Sequence, residues 1–392
     1  MRSVVYVDNN ATTKVAPEVF EAMRPFLTDD YGNPSSMHSF GGGIAKYIED
    51  ARVKVAELLG ADDPREIIFT SGGTESDNTA IMSTVQSYPE KKHIITTKVE
   101  HPAVLNVCKF LEGKGYRVTY LSVDEQGMLD LNELKSVIGK DTVLITIMHA
   151  NNETGVIFPI KEIAEIARQR GIVFHSDAVQ SVGKVAFKMT EVPVDLLSVS
   201  GHKLHAPKGI GALYVRRGTR FSPLIIGGHQ EQGRRGGTEN VAGIVGLGVA
   251  CQLAKKSFQE ENIRVKDLRD RLEREILKNI PNTRVNGATS SRLPNTTNIG
   301  FEFVEGEAIL LMLDAEGIAA SSGSACTSGS LTPSHVLRAM GVPFTFIQGS
   351  IRFSLSRYNT EEEIEYVINK LPPIIERLRE ISPYGKQSLT NR

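Results

Sequence analysis

Lys203 closes the segment Ser-Val-Ser-Gly-His-Lys at 198–203, just past the apolar run Asp195–Val199. A lysine there is either a solvated surface charge or, desolvated at a strand end, an amine able to lose its proton and attack a carbonyl. Asp177 follows Ile-Val-Phe-His-Ser in the same way. It is either a turn or cap aspartate or a carboxylate deep enough to hold a proton on a ring nitrogen. The third piece is the turn Ser71-Gly72-Gly73-Thr74, which follows the β-rich run Glu66–Thr70. Its two glycines let the backbone approach a ligand closely, and the N–H groups that open a helix favour a phosphate. Alone, it is equally an ordinary strand-to-helix turn. It has neither the GxGxxG spacing of a dinucleotide fingerprint nor the GKS/T of a P-loop, which argues for a cofactor bearing one phosphate. A Schiff-base lysine, an aspartate for a pyridine nitrogen and a phosphate cup are the three parts of a pyridoxal 5'-phosphate (PLP) site.

Other residues extend this set. His101, before Pro102 and a helical pattern, is a helix-capping or core histidine, or an imidazole over a cofactor ring that moves protons near neutral pH. Asn152 and Gln180 each stabilise their own turns or hydrogen-bond a phenolic oxygen. Arg352 alternates with Ile351 and Phe353, so it faces away from them. It is a surface arginine or a guanidinium that grips an α-carboxylate, which makes an amino acid the natural substrate. Ser321–Ser334 (SSGSACTSGSLTPS) holds one bulky apolar residue, Leu331. Such composition cannot bury itself and predicts a mobile loop. Cys326 lies within it, placed as an accessible nucleophile would be, whereas Cys108 and Cys251 read as core thiols.

The elements that must position these groups alternate. Strands are predicted at Glu66–Thr70, His93–Thr97, Val118–Leu121, Thr142–Met148, Ile172–His175, Asp195–Val199 and Gly211–Val215, with helices such as Ala45–Leu59 and Pro159–Gly171 between them. That pattern predicts an α/β fold with a large, mainly parallel sheet whose carboxyl ends carry the ligand site. From about Phe258 the texture changes to a charged helix (Glu260–Leu277), strands near Asn295–Phe301 and Ile351–Leu355, and a final helix at Thr360–Ile381. Thr360 and Glu363 are spaced there as a capping box. Two domains follow: residues 14–257, and a smaller α+β domain of 1–13 with 258–392. The polar tail after Pro383 reads as frayed.

Composition narrows the function. Lys and Arg number 45 against 46 Asp and Glu, a balance that gives no footprint for nucleic acid. No apolar run is read as a membrane span, and the N-terminus lacks the core of a signal peptide, so a cytoplasmic protein is expected. Three dispersed cysteines form no disulfide framework.

Read together, these segments resemble the cysteine desulfurases, most closely the nitrogen-fixation (NifS-like) and IscS-like group. The resemblance rests on Asp8–Thr13, Tyr31–Ser36, Thr70–Asp77, Val99–Pro102, Ala150–Gly155, His175–Gln180, Ser200–Gly209, Gly236–Asn240, Ser321–Ser334 and Ile351–Arg357. Ser-Gly-His-Lys alone would indicate only PLP enzymes of fold type I; the cysteine loop narrows it to desulfurases. The resemblance implies a fold-type I homodimer with PLP on Lys203. Gly73, Thr74, Ser200 and His202 would hold its phosphate, with Thr238 reaching in from the second subunit. Asp177 would pair with the ring nitrogen, His101 stack on the ring, Gln180 and Asn152 contact the cofactor, and Arg352 with Asn152 hold the substrate. The implied reaction converts L-cysteine to L-alanine. Cys326 would take the sulfur as a persulfide and pass it to an iron–sulfur scaffold for nitrogenase maturation. Cys326, through that persulfide, is also the one candidate for holding iron–sulfur material. The rival readings are another PLP enzyme, such as an aminotransferase or selenocysteine lyase, and a sulfur carrier with a vestigial PLP site.

Overall fold

The computed structural model describes residues 4–322 and 333–382. Cys326, most of the predicted cysteine loop and the tail from residue 383 lie outside the described residues. Seven strands build the large sheet, in the spatial order Ile67–Thr70, Gly211–Val215, Leu196–Ser200, Val173–Asp177, Thr142–Thr146, His93–Thr97 and Arg117–Leu121. All neighbours pair in parallel except Gly211–Val215, which runs against both of its partners. Strands covered on both faces must be apolar throughout, and those at the centre are buried from end to end. Phe69, Ile145, Phe174 and Val199 meet Leu59, Ile163 and Leu247 in one core layer. Ile94 and Leu144 meet Ile81, Val85 and Val104 in a second cluster.

The boundaries differ slightly from expectation, and the difference matters. The strand predicted at 172–175 runs Val173–Asp177, and the one predicted at 195–199 runs Leu196–Ser200. Asp177 and Ser200 are therefore the last residues of their strands, at the carboxyl edge of the sheet. The strand expected to reach Met148 stops at Thr146, which releases Ile147–Asn152 to turn across that edge.

A second core lies beyond the sheet. Strands Ser321–Ser322, Ser350–Ser354, Thr296–Phe301 and Thr283–Val285 form a smaller antiparallel sheet in that order. Ile299, Phe301, Ile351 and Phe353 pack on Ile364, Val367 and Leu371 of the helix Glu361–Ile381. The capping box at Thr360 and Glu363 is present at that helix's start. Near the N-terminus, Val5–Tyr6 pairs with Ile318–Ala319, and Val5 and Val7 enter this second core.

The charged helix expected at 260–277 is the rear half of a single helix, Val241–Asn279, of 39 residues. Its front half buries Ile244, Leu247, Ala250 and Cys251 in the first core, and its rear half buries Val265, Leu268, Leu272 and Ile276 in the second. It contains an 18-residue window of mean hydropathy 1.2, long and apolar enough to cross a membrane by length and composition. No such run was expected. Small residues hid it: Gly243, Gly246, Gly248, Ala242 and Ala250 interrupt the branched side chains. The window is 56% buried within the fold, where this helix packs on Ala45–Leu59 and Pro17–Met23. Gly248 makes that approach possible, since a Cβ there would lie 2.7 Å from Ala51.

Candidate active site

The carboxyl ends of five strands deliver the polar set to one crevice of about 710 Å³. Gly73, Thr74, His101, Asn152, Asp177, Gln180, Ser200, His202 and Lys203 line it from the large sheet, and Arg352 from the smaller one. Thr238 is exposed on this subunit and is not among the lining residues. Among the described residues, no cluster of three or more His, Cys, Asp or Glu could hold a metal ion.

One end of the crevice suits an anion. Helix Gly73–Ser87 begins after Gly72, whose φ of 152° favours glycine, and no side chain caps its first N–H groups. A Cβ on Gly73 would come within 2.8 Å of Val179 and 3.4 Å of Ser200, so a side chain would fill the cradle. Ser200 ends its strand beside this turn, and His202, tethered to Thr12 Oγ1 at 3.1 Å, lines the same wall. Burial first, then Lys203, Lys208 and Lys184, hold His202 down at about 4, so its ring is neutral at pH 7.

Beneath the centre lies an unusual excess of carboxyl groups. Asp177 Oδ1 accepts the Val179 N–H at 2.9 Å, and burial raises its pKa against the pull of His101 and Lys203. Asp77 is buried beside it and is pushed well above the usual carboxylate range by burial and by Asp177. Burial also raises Glu100, to about 8, although it accepts from Thr97 Oγ1 at 2.8 Å and from the Met148 N–H at 3.1 Å. His175, the nearest base to Asp77 at 3.6 Å, is driven down to about 3 by burial and stays neutral. Asp77 Oδ1 has no hydrogen-bond partner among the described residues. Three acids in so dry a volume cannot all ionise without a cation. A protonated pyridine nitrogen at Asp177 supplies one, so these residues fit PLP.

Lys203 Nζ donates to the carbonyls of Asn10 (2.5 Å) and Ala11 (2.7 Å), so the N-terminal segment that joins the second core also tethers the amine. Gln180 Nε2 donates to the same Asn10 carbonyl at 3.0 Å, and among the described residues its buried Oε1 has no hydrogen-bond partner. His101 caps helix Pro102–Glu112, its Nδ1 accepting the Ala103 N–H at 3.1 Å. Burial lowers its pKa, opposed by Asp177 and aided by Lys203 and His335.

Arg352, 5% exposed, donates from Nη1 to the Asn152 carbonyl (3.1 Å) and from Nη2 to Asp8 Oδ1 (2.7 Å). Among the described residues its buried Nε has no hydrogen-bond partner. The Asp8 partner was not foreseen, nor were Asn10, Asp77, Glu153 and His335 as lining residues. Asp8 and Asn10 sit in one of the segments that carried the resemblance. Their place became legible only once residues 5–6 were seen to pair with 318–319.

The aminotransferase class-V family model matches residues 5–367. A cysteine desulfurase of Trichormus azollae is 63% identical over 382 residues, covering 97% of this chain and 95% of its own. The cysteine desulfurase NifS of Azotobacter vinelandii is 57% identical over 380 residues, covering 97% and 94%. Among solved structures, a NifS-like protein superposes with a TM-score of 0.90 at 40% identity, over 96% of this chain and all of that one. With the lysine, the acid pair and the anion cradle in one crevice, the chain belongs to the aminotransferase class-V family, among its cysteine desulfurases.

Proposed function

We infer that this protein is a cysteine desulfurase that uses PLP to convert L-cysteine to L-alanine, leaving the sulfur as a persulfide on Cys326. The observation that carries this reading is the convergence of Lys203, Asp177 and Arg352 on one crevice, in a chain so similar to cysteine desulfurases. When bound, PLP supplies an electron sink that acidifies the substrate Cα and weakens its Cβ–S bond.

The chain's own residues do the rest. Lys203 would hold the cofactor through the amine that the Asn10 and Ala11 carbonyls tether. With the cofactor bound, the Lys203 amine would be the base placed for the substrate Cα proton. Asp177 holds the proton on the ring nitrogen, which the acids around it favour. His101 would stack on the ring and, with Nδ1 occupied by the Ala103 N–H, would present an N–H rather than a lone pair. Gly73, Thr74, Ser200 and His202 bind the phosphate, completed by Thr238 of the partner subunit in a homodimer. Gln180 and Asn152 border the cofactor, and Arg352 with Asn152 holds the substrate carboxylate. Cys326 takes the sulfur and delivers it to an iron–sulfur scaffold; through its persulfide it also contacts iron–sulfur material. Nitrogenase maturation is the proposed destination, supported by relatives that bear the NifS name. The cytoplasm is the proposed compartment. A division into 14–257 and 1–13 with 258–392 is supported by the two cores, with the shared helix crossing between them.

The test is direct. The PLP-loaded protein is mixed with L-cysteine, quenched with an alkylating agent and digested. One extra sulfur on the Cys326 peptide is expected. An unmodified peptide, with the cofactor spectrum still responding to cysteine, overturns the desulfurase reading in favour of another amino-acid reaction.

Arg352→Ala tests the carboxylate grip. The lost charge-assisted pair costs about 1.5–3 kcal/mol, and Asp8, now uncompensated, repels the substrate as well. KM for cysteine should rise about 100-fold, with a smaller fall in kcat. An unchanged KM removes Arg352 from the substrate site.

A further inference from the structure

The guanidinium assigned to the substrate already holds a carboxylate. Arg352 Nη2 donates to Asp8 Oδ1 at 2.7 Å, and the two side chains are only 6% and 16% exposed. A buried guanidinium needs a counter-charge, and Asp8 is the acidic side chain paired with it. Glu153 also acts on Arg352, but burial raises it to about 7, and its Oε2 accepts from Ser334 Oγ at 2.5 Å instead.

Backbone sets this pair in place. Arg352 stands in its sheet between Asn298 and Ser321. Residues 7–9 run beside the end of the same strand. The Ser354 N–H donates to the Val7 carbonyl at 2.8 Å, and the Asn9 N–H to the Ser354 carbonyl at 3.0 Å. Asp8 is therefore held beside Arg352 by main-chain bonds on either side of it. The contact itself is monodentate, one oxygen on one nitrogen. A carboxylate that uses both oxygens can take two N–H groups of one guanidinium, a stronger pair. Asp8 and Arg352 both line the crevice, so an arriving carboxylate meets an ion pair rather than a bare cation.

We propose that Asp8 is a specificity-determining residue: its carboxylate is an internal competitor for Arg352 that every incoming carboxylate must displace. The role rests on the assignment of Arg352 to the substrate carboxylate made above. Affinity for a carboxylate is reduced by the fraction of Arg352 that Asp8 occupies. The competition discriminates between ligands. One held by its carboxylate alone exchanges one charge pair for another and gains little. An amino acid, held through its amine as well, brings its carboxylate to Arg352 at high effective concentration and displaces Asp8.

Asp8→Asn keeps the shape and an oxygen for Nη2 but removes the charge. Calorimetric titration of the holoenzyme with 3-mercaptopropionate, which has the carboxylate and thiol of cysteine but no amine, reads the competition without turnover. Its affinity should rise about tenfold or more in Asp8→Asn. The affinity of cysteamine, which lacks the carboxylate, should stay as in wild type, and KM for L-cysteine should fall. Asp8→Ala should also bind 3-mercaptopropionate more tightly than wild type. Weaker binding in both variants shows that Asp8 only props Arg352 in place, and overturns the proposal. So does an unchanged affinity, or an equal gain for cysteamine. An unchanged KM for L-cysteine in Arg352→Ala overturns the carboxylate grip instead, and the proposal falls with it.

Discussion

Lys203→Ala protein should retain no cofactor absorbance after desalting, and its cysteine turnover should fall by about 10⁴-fold or more. Other amines lie nearby, and neither Lys184 nor Lys109 can stand in. Lys184 donates to the Gln180 carbonyl at 3.1 Å and is not among the crevice's lining residues. Its burial lowers its pKa to about 8, so it is the more reactive of the two, but it is misplaced. Lys109 touches the crevice but is exposed. Because Lys203 also tethers the Asn10–Ala11 backbone, a loss in the alanine variant could come from a slack N-terminal segment. Lys203→Arg separates the causes. It keeps a cation for those carbonyls but cannot form the covalent bond, so it should be as inactive as Lys203→Ala. Visible absorbance retained in either variant would show that another amine bonds the cofactor.

Cys326→Ala should behave in the opposite way. PLP should load normally and its spectrum should shift when L-cysteine is added, yet alanine should form at least about 10³-fold more slowly. The reason lies in the other two thiols. Cys108 and Cys251 are fully buried, and burial pushes both up to about 12, so neither offers a thiolate at neutral pH. No second cysteine can take over the persulfide. Full turnover in Cys326→Ala would mean that sulfur leaves without a protein nucleophile, and Cys326 would lose its role.

Much of this site is legible in the sequence because parallel sheets place their chemistry in one predictable position, just after each strand. Lys203, Asp177 and the Ser71–Thr74 turn could be found from the apolar runs that precede them, and alternation aimed Arg352 away from Ile351 and Phe353. What escaped were contacts between distant parts of the chain. The Arg352–Asp8 pair joins residues 344 apart, and no local pattern encodes it. His335 was invisible for a different reason. Its tautomer is set by the Glu100 carbonyl, 235 residues away, and a sequence shows side chains rather than the carbonyls that face them. The helix at 241–279 was only half seen, because small residues that let helices approach closely weaken the apolar stripe by which a helix is recognised.

That helix works like the spine of a calliper. At 1.5 Å per residue it is a rod of about 58 Å, rooted at one end in the body that carries Lys203 and at the other in the body that carries Arg352. The span between amine and guanidinium is therefore a dimension set at folding, and under the proposed roles of Lys203 and Arg352 an incoming amino acid would be gauged against it. The same rod also gives a way to spoil the instrument without breaking either jaw. One residue inserted between the two cores would turn the rear body by about 100° about the axis and carry Arg352 out of register with Lys203.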